Sequence, residues 1–186
     1  MVAAVLVGGV VAAPLASAVS QPSCRGASCE GVDPAVTNCA EGAVTILSRR
    51  ARTEAGDFGH LELRYSPKCH SNWVRFTPWH GVQAWLGNLA AEAEVGGQPW
   101  IWRYGVANSL RGPAGHSSLA GAGVTTWTAM ITADGTTCSS VEVYETGMSQ
   151  FGGGDRRSLG TYDAPCISYF DRSGAHQETT FLAGMS

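Results

Sequence analysis

The chain has no lysine-rich run and no basic stripe, so neither a nucleic-acid backbone nor an anionic membrane surface has an electrostatic partner in it. Its net charge is only -3 over 186 residues. Its N-terminal apolar stretch is interrupted by Pro14 and falls short of the about 20 apolar residues that span a bilayer comfortably. No second such stretch follows. None of Asn38, Asn72, Asn88 and Asn108 opens an Asn-x-Ser/Thr sequon, so no N-linked glycan is expected. The nucleotide-binding Gly-x4-Gly-Lys-Ser/Thr loop is missing too. Gly152-Gly153-Gly154-Asp155-Arg156-Arg157 has its flexibility without its lysine or hydroxyl, and reads as a solvent loop.

Reaction motifs are equally scarce. Gly115-His116-Ser117-Ser118-Leu119 approaches a nucleophile elbow, but Leu119 stands where glycine is needed and no βαβ pattern surrounds it. His60, His70, His80, His116 and His176 include no His-x3-His pair, so they read as surface or partner-satisfied side chains. Asp33, Glu62, Asp134, Glu142 and Asp155 offer carboxylates, but spacing along the chain pairs none of them across a cleft. No catalytic residue, cofactor or metal-ligand set is expected, and an enzymatic role is not favoured.

What the chain does have is an export pattern followed by cysteines. Met1 to Ala18 carries no charge, Val2 to Val11 is apolar and glycine-containing, and Ala16-Ser17-Ala18 has the small-x-small form of a signal peptidase site. The usual basic start is missing, since no Lys or Arg precedes Arg25; a start assigned downstream of the true one is the expected explanation. Residues 1–18 are therefore expected to be a signal peptide and the mature chain to be secreted, soluble and monomeric. Cys24, Cys29, Cys39, Cys69, Cys138 and Cys166 form an even set in such a chain. Fifteen connectivities are open; the favoured one pairs neighbours, 24 with 29, 39 with 69 and 138 with 166. Zinc is disfavoured because a single Cys-x4-Cys lacks a second knuckle.

The rest of the pattern is β-rich. Val44 to Leu47 and the alternating Leu61-Glu62-Leu63-Arg64-Tyr65 predict a hairpin across a connection at 53–59, with Leu61, Leu63 and Tyr65 facing inward. Trp73–Phe76, Trp100–Tyr104, Val124–Ile131, Val141–Tyr144 and Ile167–Phe170 predict further strands, separated by glycine-rich breaks. Helical spacing of Val82, Trp85, Leu86, Leu89 and Ala93 predicts one short helix in 82–94. The fold class is all-β, a small disulfide-stapled barrel or sandwich, with one domain over 19–170 and a flexible tail over 171–186.

One run carries a signature. Cys24-x4-Cys29-x-Gly31-x-Asp33-Pro34-x4-Cys39, then Leu61-Glu62-Leu63-Arg64-Tyr65-Ser66-Pro67-x-Cys69-x3-Trp73-x-Arg75, resembles the family called domain of unknown function 2690. The resemblance is best over about Cys24 to Phe76, and residues 77–104 look like a departure from it. It implies a secreted or surface-displayed bacterial domain, rich in β structure, with no catalytic residues to transfer. On physical grounds Asp33-Pro34 is a turn initiator, and Arg64 is placed to bridge to Asp33.

The tryptophans Trp73, Trp79, Trp85, Trp100, Trp102 and Trp127 are many for this length, and exposed ones can stack on sugars or anchor a protein. Trp100 and Trp102 share one strand face, which is expected to be core. The candidate ligand contacts are Arg64, Arg75, Trp79, Trp85 and Trp100. The expected function is a secreted, non-enzymatic module that binds an extracellular protein or an envelope polysaccharide. The alternative is an exported effector, a toxin or hydrolase acting on neighbouring cells, which requires acids and histidines to converge in a cleft.

Overall fold

In the computed structural model, described residues are 22–79, 94–114, 124–146, 156–169 and 176–179. They form two antiparallel sheets and a single 3-10 turn, Gly26–Cys29. Residues 1–18, expected to be a signal peptide, lie outside them. So does the helix expected over 82–94, apart from Glu94, which opens a strand. No helix among them is long and apolar enough to cross a membrane.

The first sheet grows from the alternating run. β1 (Val44–Thr53) and β2 (Gly56–Ser66) make a hairpin whose turn is only Glu54-Ala55. The connection expected at 53–59 is thus mostly strand, because Arg52 pairs with Asp57 and Thr53 with Gly56 beyond a bulge. β3 (Ser71–Pro78) follows through the turn around His70 and pairs with β2 along its length. β5 (Thr126–Trp127) and β6 (Ile131–Thr132) both pair with the other edge of β3, so the expected single strand over 124–131 is split in two.

The second sheet has the order β4 (Glu94–Arg103), β7 (Thr136–Thr146), β8 (Arg156–Tyr169), β9 (His176–Thr179). β9 comes from the stretch expected to be a flexible tail; His176–Thr179 pairs with Cys166–Tyr169.

The sheets pack face to face, which makes a sandwich and not a barrel. Leu47, Leu61, Leu63, Val74 and Phe76 from the first meet Ile101, Val141, Val143 and Ile167 from the second in one buried cluster. Leu61, Leu63 and Tyr65 do face inward. The Phe76 ring occupies the space where a Cβ on Gly97 would stand, so glycine there sets how closely the layers approach. Residues 111–114 stitch one side, with Arg111 bonded to Ile101 and Ala114 N–H to Trp127 O at 2.9 Å. β1 and β9 remain at the sheet ends, so closure does not occur.

One expectation about aromatics fails. Ile101, fully buried, is the residue of β4 that enters the core, so Trp100 and Trp102 on either side of it point outward and are half-buried.

The three disulfides are Cys24–Cys29, Cys39–Cys69 and Cys138–Cys166, the neighbour pairing favoured from sequence. The second ties residues 22–43 to the β2–β3 turn. That segment is also held by the backbone, since Gly26 N–H donates to Cys69 O at 2.7 Å and Gly31 N–H to Met130 O at 2.9 Å. Cys29, Cys39, Cys69, Trp73 and Met130 form a second buried cluster beneath it.

Candidate functional site

Strand alternation fixes what the first sheet shows to solvent. With Leu61, Leu63 and Tyr65 buried inward on β2, the outward positions are His60, Glu62 and Arg64. On β3, Val74 and Phe76 go inward, and Trp73, Arg75 and Thr77 take the other face, with Trp79 just past the strand's end. Antiparallel register then sets Glu62 opposite Arg75 and Arg64 opposite Trp73. It sets Trp127 of β5 opposite Arg75 on the far side, so the row continues onto the edge strand.

Charge on this face is shared unevenly. Glu62 Oε2 accepts from Arg75 Nε and Nη2, each at 2.7 Å. Its other oxygen accepts from Thr45 Oγ1 at 3.1 Å and lies 3.8 Å from Arg64 Nη1. Arg64 in turn donates to Thr45 Oγ1 at 2.6 Å and to Ala43 O at 2.8 Å, while its Nε is buried without a partner. Two guanidinium groups thus share one carboxylate. Burial, and then the nearby Arg75, push the Arg64 pKa below its ordinary value, with Glu62 opposing. Two guanidinium groups against one carboxylate leave this spot electropositive.

Above them opens a cleft of about 290 Å³. Trp73, Arg64, Arg75 and Trp127 line it from the sheet, and Pro34 and Ala35 from the N-terminal segment. The Asp33-Pro34 turn builds that wall. Asp33 Oδ1 accepts from Ala35 N–H at 2.8 Å, an Asx-type turn, and from Trp127 Nε1–H at 2.9 Å. The expected Arg64–Asp33 bridge is therefore not formed: the carboxylate holds the Trp127 indole in place, and Arg64 is taken by Ala43 and Thr45.

The predicted contacts separate. Arg64 and Arg75 lie together in the cleft. Trp79 sits at the far end of the same face, stacked on His60 with ring centroids 5.1 Å apart and with the Arg50 guanidinium 5.8 Å from its ring. Trp100 is on the outward face of the other sheet, its ring closely packed against Gly112. Trp85 lies outside the described residues. Trp127, Trp73 and the Pro34 wall were not among the candidates. The alternation of Trp73 with Arg75 was visible in sequence, but the pairing of Trp127 with a strand about fifty residues away was not.

A second polar group lies at the β2–β3 turn. His70, with φ at +49°, places Nε2 at 3.0 Å from Asp134 Oδ1 and Nδ1 at 3.4 Å from Tyr65 Oη. Thr132 Oγ1 donates to Asp134 Oδ2 at 3.1 Å. The His70 hydrogen bond is the main reason the Asp134 carboxyl titrates below its usual range, against a smaller effect of burial. The order Tyr–His–Asp resembles an acid–base relay, but the Asp134 side chain is 70% exposed and water screens it. Its evident work is to hold a left-handed residue in a tight turn. Among the described residues, those lining the cleft include no histidine and no carboxylate.

These features define a class: a disulfide-stapled β-sandwich whose one sheet carries a cationic, indole-bordered cleft under a cysteine-tied N-terminal wall. A family model matches residues 27–148, and the chain belongs to the family described as Protein of unknown function (DUF2690). The match includes Asp33, Pro34, Arg64, Trp73, Arg75 and Trp127. It also runs through residues 77–104, which looked from sequence like a departure from the family pattern. No curated protein matches the chain, and no solved structure does.

Proposed function

We propose that this domain is a non-enzymatic extracellular binding module, and that the cleft on the first sheet is where it takes its ligand. The observation that carries the reading is the make-up of that cleft. Indoles supply flat apolar area at low entropic cost, and guanidinium groups supply forked donors. Among the described lining residues there is no acid–histidine pair of the kind hydrolysis uses. Such a surface suits an extended envelope polysaccharide with hydrogen-bonding and anionic substituents, or a protein segment presenting the same groups. Three disulfides are consistent with work outside the cytoplasm, where such bonds persist.

The test is affinity capture with the oxidised protein on envelope and secreted fractions, read by mass spectrometry and glycan analysis. The expected result is a saturable ligand, released by salt, that Arg75→Ala and Trp127→Ala both fail to capture. Equal capture by those variants, or degradation of the envelope material without capture, overturns the reading; degradation points instead to an exported effector.

A further inference from the structure

The Cys24–Cys29 and Cys39–Cys69 disulfides lie side by side, with Cys24 Sγ 3.8 Å from Cys39 Sγ. The sulfurs of Cys24, Cys29 and Cys39 all fall within 4.8 Å of one another. Cys69 Sγ is bonded to Cys39, and Cys29 Sγ lies 3.9 Å from the Cys69 carbonyl oxygen. Cys29, Cys39 and Cys69 are fully buried, and Cys24 is half-buried.

The spacing argument against zinc was that one Cys-x4-Cys has no second knuckle. The fold brings Cys39 Sγ to that pair, with Cys69 Sγ bonded to it. In a tetrahedral zinc–thiolate centre with Zn–S of about 2.3 Å, neighbouring sulfurs stand about 3.8 Å apart. Cys24 and Cys39 already have that separation. Opening a disulfide frees its two sulfurs to part to the same spacing, and Cys69 Sγ, bonded to Cys39 but outside that group of three, has the furthest to turn. The backbone around them does not depend on the S–S bonds alone. Gly26, at φ +56°, turns the chain between the first two cysteines, and its N–H donates to Cys69 O. Gly31 and Val32 are bonded to Met130 on the other side.

We propose that these four sulfurs form an alternating site: two disulfides when oxidised, and one tetrahedral tetrathiolate site for a soft divalent cation of the zinc class when reduced. Two equivalents of a dithiol open both disulfides, transferring four electrons and four protons and becoming two disulfides themselves. Binding the cation then releases the four thiol protons, because only thiolates ligate. Reoxidation by two two-electron acceptors re-forms both S–S bonds and expels the cation. An all-sulfur donor set selects zinc or cadmium over magnesium or calcium.

Cobalt(II) is the probe, added anaerobically to the full chain after reduction with a water-soluble phosphine. The expected result is uptake of one equivalent with the visible bands of tetrahedral cobalt thiolate, displaced by one equivalent of zinc and abolished by reoxidation. The Cys138→Ser/Cys166→Ser double variant keeps that spectrum, and Cys39→Ser/Cys69→Ser loses it. Zinc also shields the cysteines at 24, 29, 39 and 69 from alkylation in the reduced wild type. The proposal is overturned if the reduced chain takes up no tetrahedral cobalt, whether or not it stays folded. It is equally overturned if the spectrum depends on Cys138 and Cys166 instead.

Discussion

The two outward faces of the sandwich both carry tryptophan, and they use it differently. On the second sheet, half-buried Trp100 packs its ring against the backbone at Gly112. On the first, Trp73 is buried in the second core cluster, while half-buried Trp127 borders an open cleft beside two arginines that share Glu62 beneath it. An indole covered by its own backbone serves packing; an indole beside incompletely neutralised guanidinium groups is available to a ligand. Tryptophan count alone therefore does not locate a site. What covers each ring does.

The largest effect expected on this contrast comes from Cys39→Ser or Cys69→Ser. Loss of that 30-residue link should cost about 3–4 kcal/mol, measured by denaturant unfolding. It should also free the Pro34 wall, so hydrogen exchange should rise over 30–43 while β7 and β8 stay protected. Near-wild-type stability would show that the backbone bonds alone hold the wall. Next, Gly112→Ala forces a methyl to within 2.8 Å of the Trp100 ring. Overpacking of that kind typically costs about 1–3 kcal/mol and should shift the indole emission, leaving the cleft intact.

Asp33→Ala sharpens the comparison from the other side. It removes a turn-forming acceptor and the partner of Trp127 Nε1, and should cost about 1–2 kcal/mol by thermal melting. Binding should weaken more than stability does, since the hydrogen bond from the Trp127 indole to Asp33 is then lost. The smallest effect is the acid dependence of the β2–β3 turn. Because folding lowers the Asp134 pKa, its carboxylate adds stability above its unfolded value, near 4, and that addition is lost as pH falls through the lower folded value. Melting curves of Asp134→Asn and wild type should therefore differ near neutrality and converge in strong acid. A gap that persists there would contradict the assignment.

Much of this was legible beforehand, and the reasons are physical. Period-two alternation in Leu61–Tyr65 stated which side chains enter the core, and hence that Glu62 and Arg64 face out. Cysteines close in sequence paired with each other. The failures came where tertiary structure decides. Trp100 and Trp102 flank Ile101, and only the partner sheet determines which parity of β4 is buried. Asp33 and Trp127 meet across 94 residues, a separation that no local pattern encodes. The same holds for the cysteine cluster, whose two disulfides meet only because the N-terminal segment folds back onto the β2–β3 turn.

The most direct test is equilibrium binding of the captured envelope ligand to Trp127→Ala and Trp100→Ala, side by side with the wild type. The account predicts that Trp127→Ala loses binding by at least about tenfold, the equivalent of about 1.4 kcal/mol, while Trp100→Ala binds as the wild type does. The opposite pattern, or equal binding by both, would contradict it.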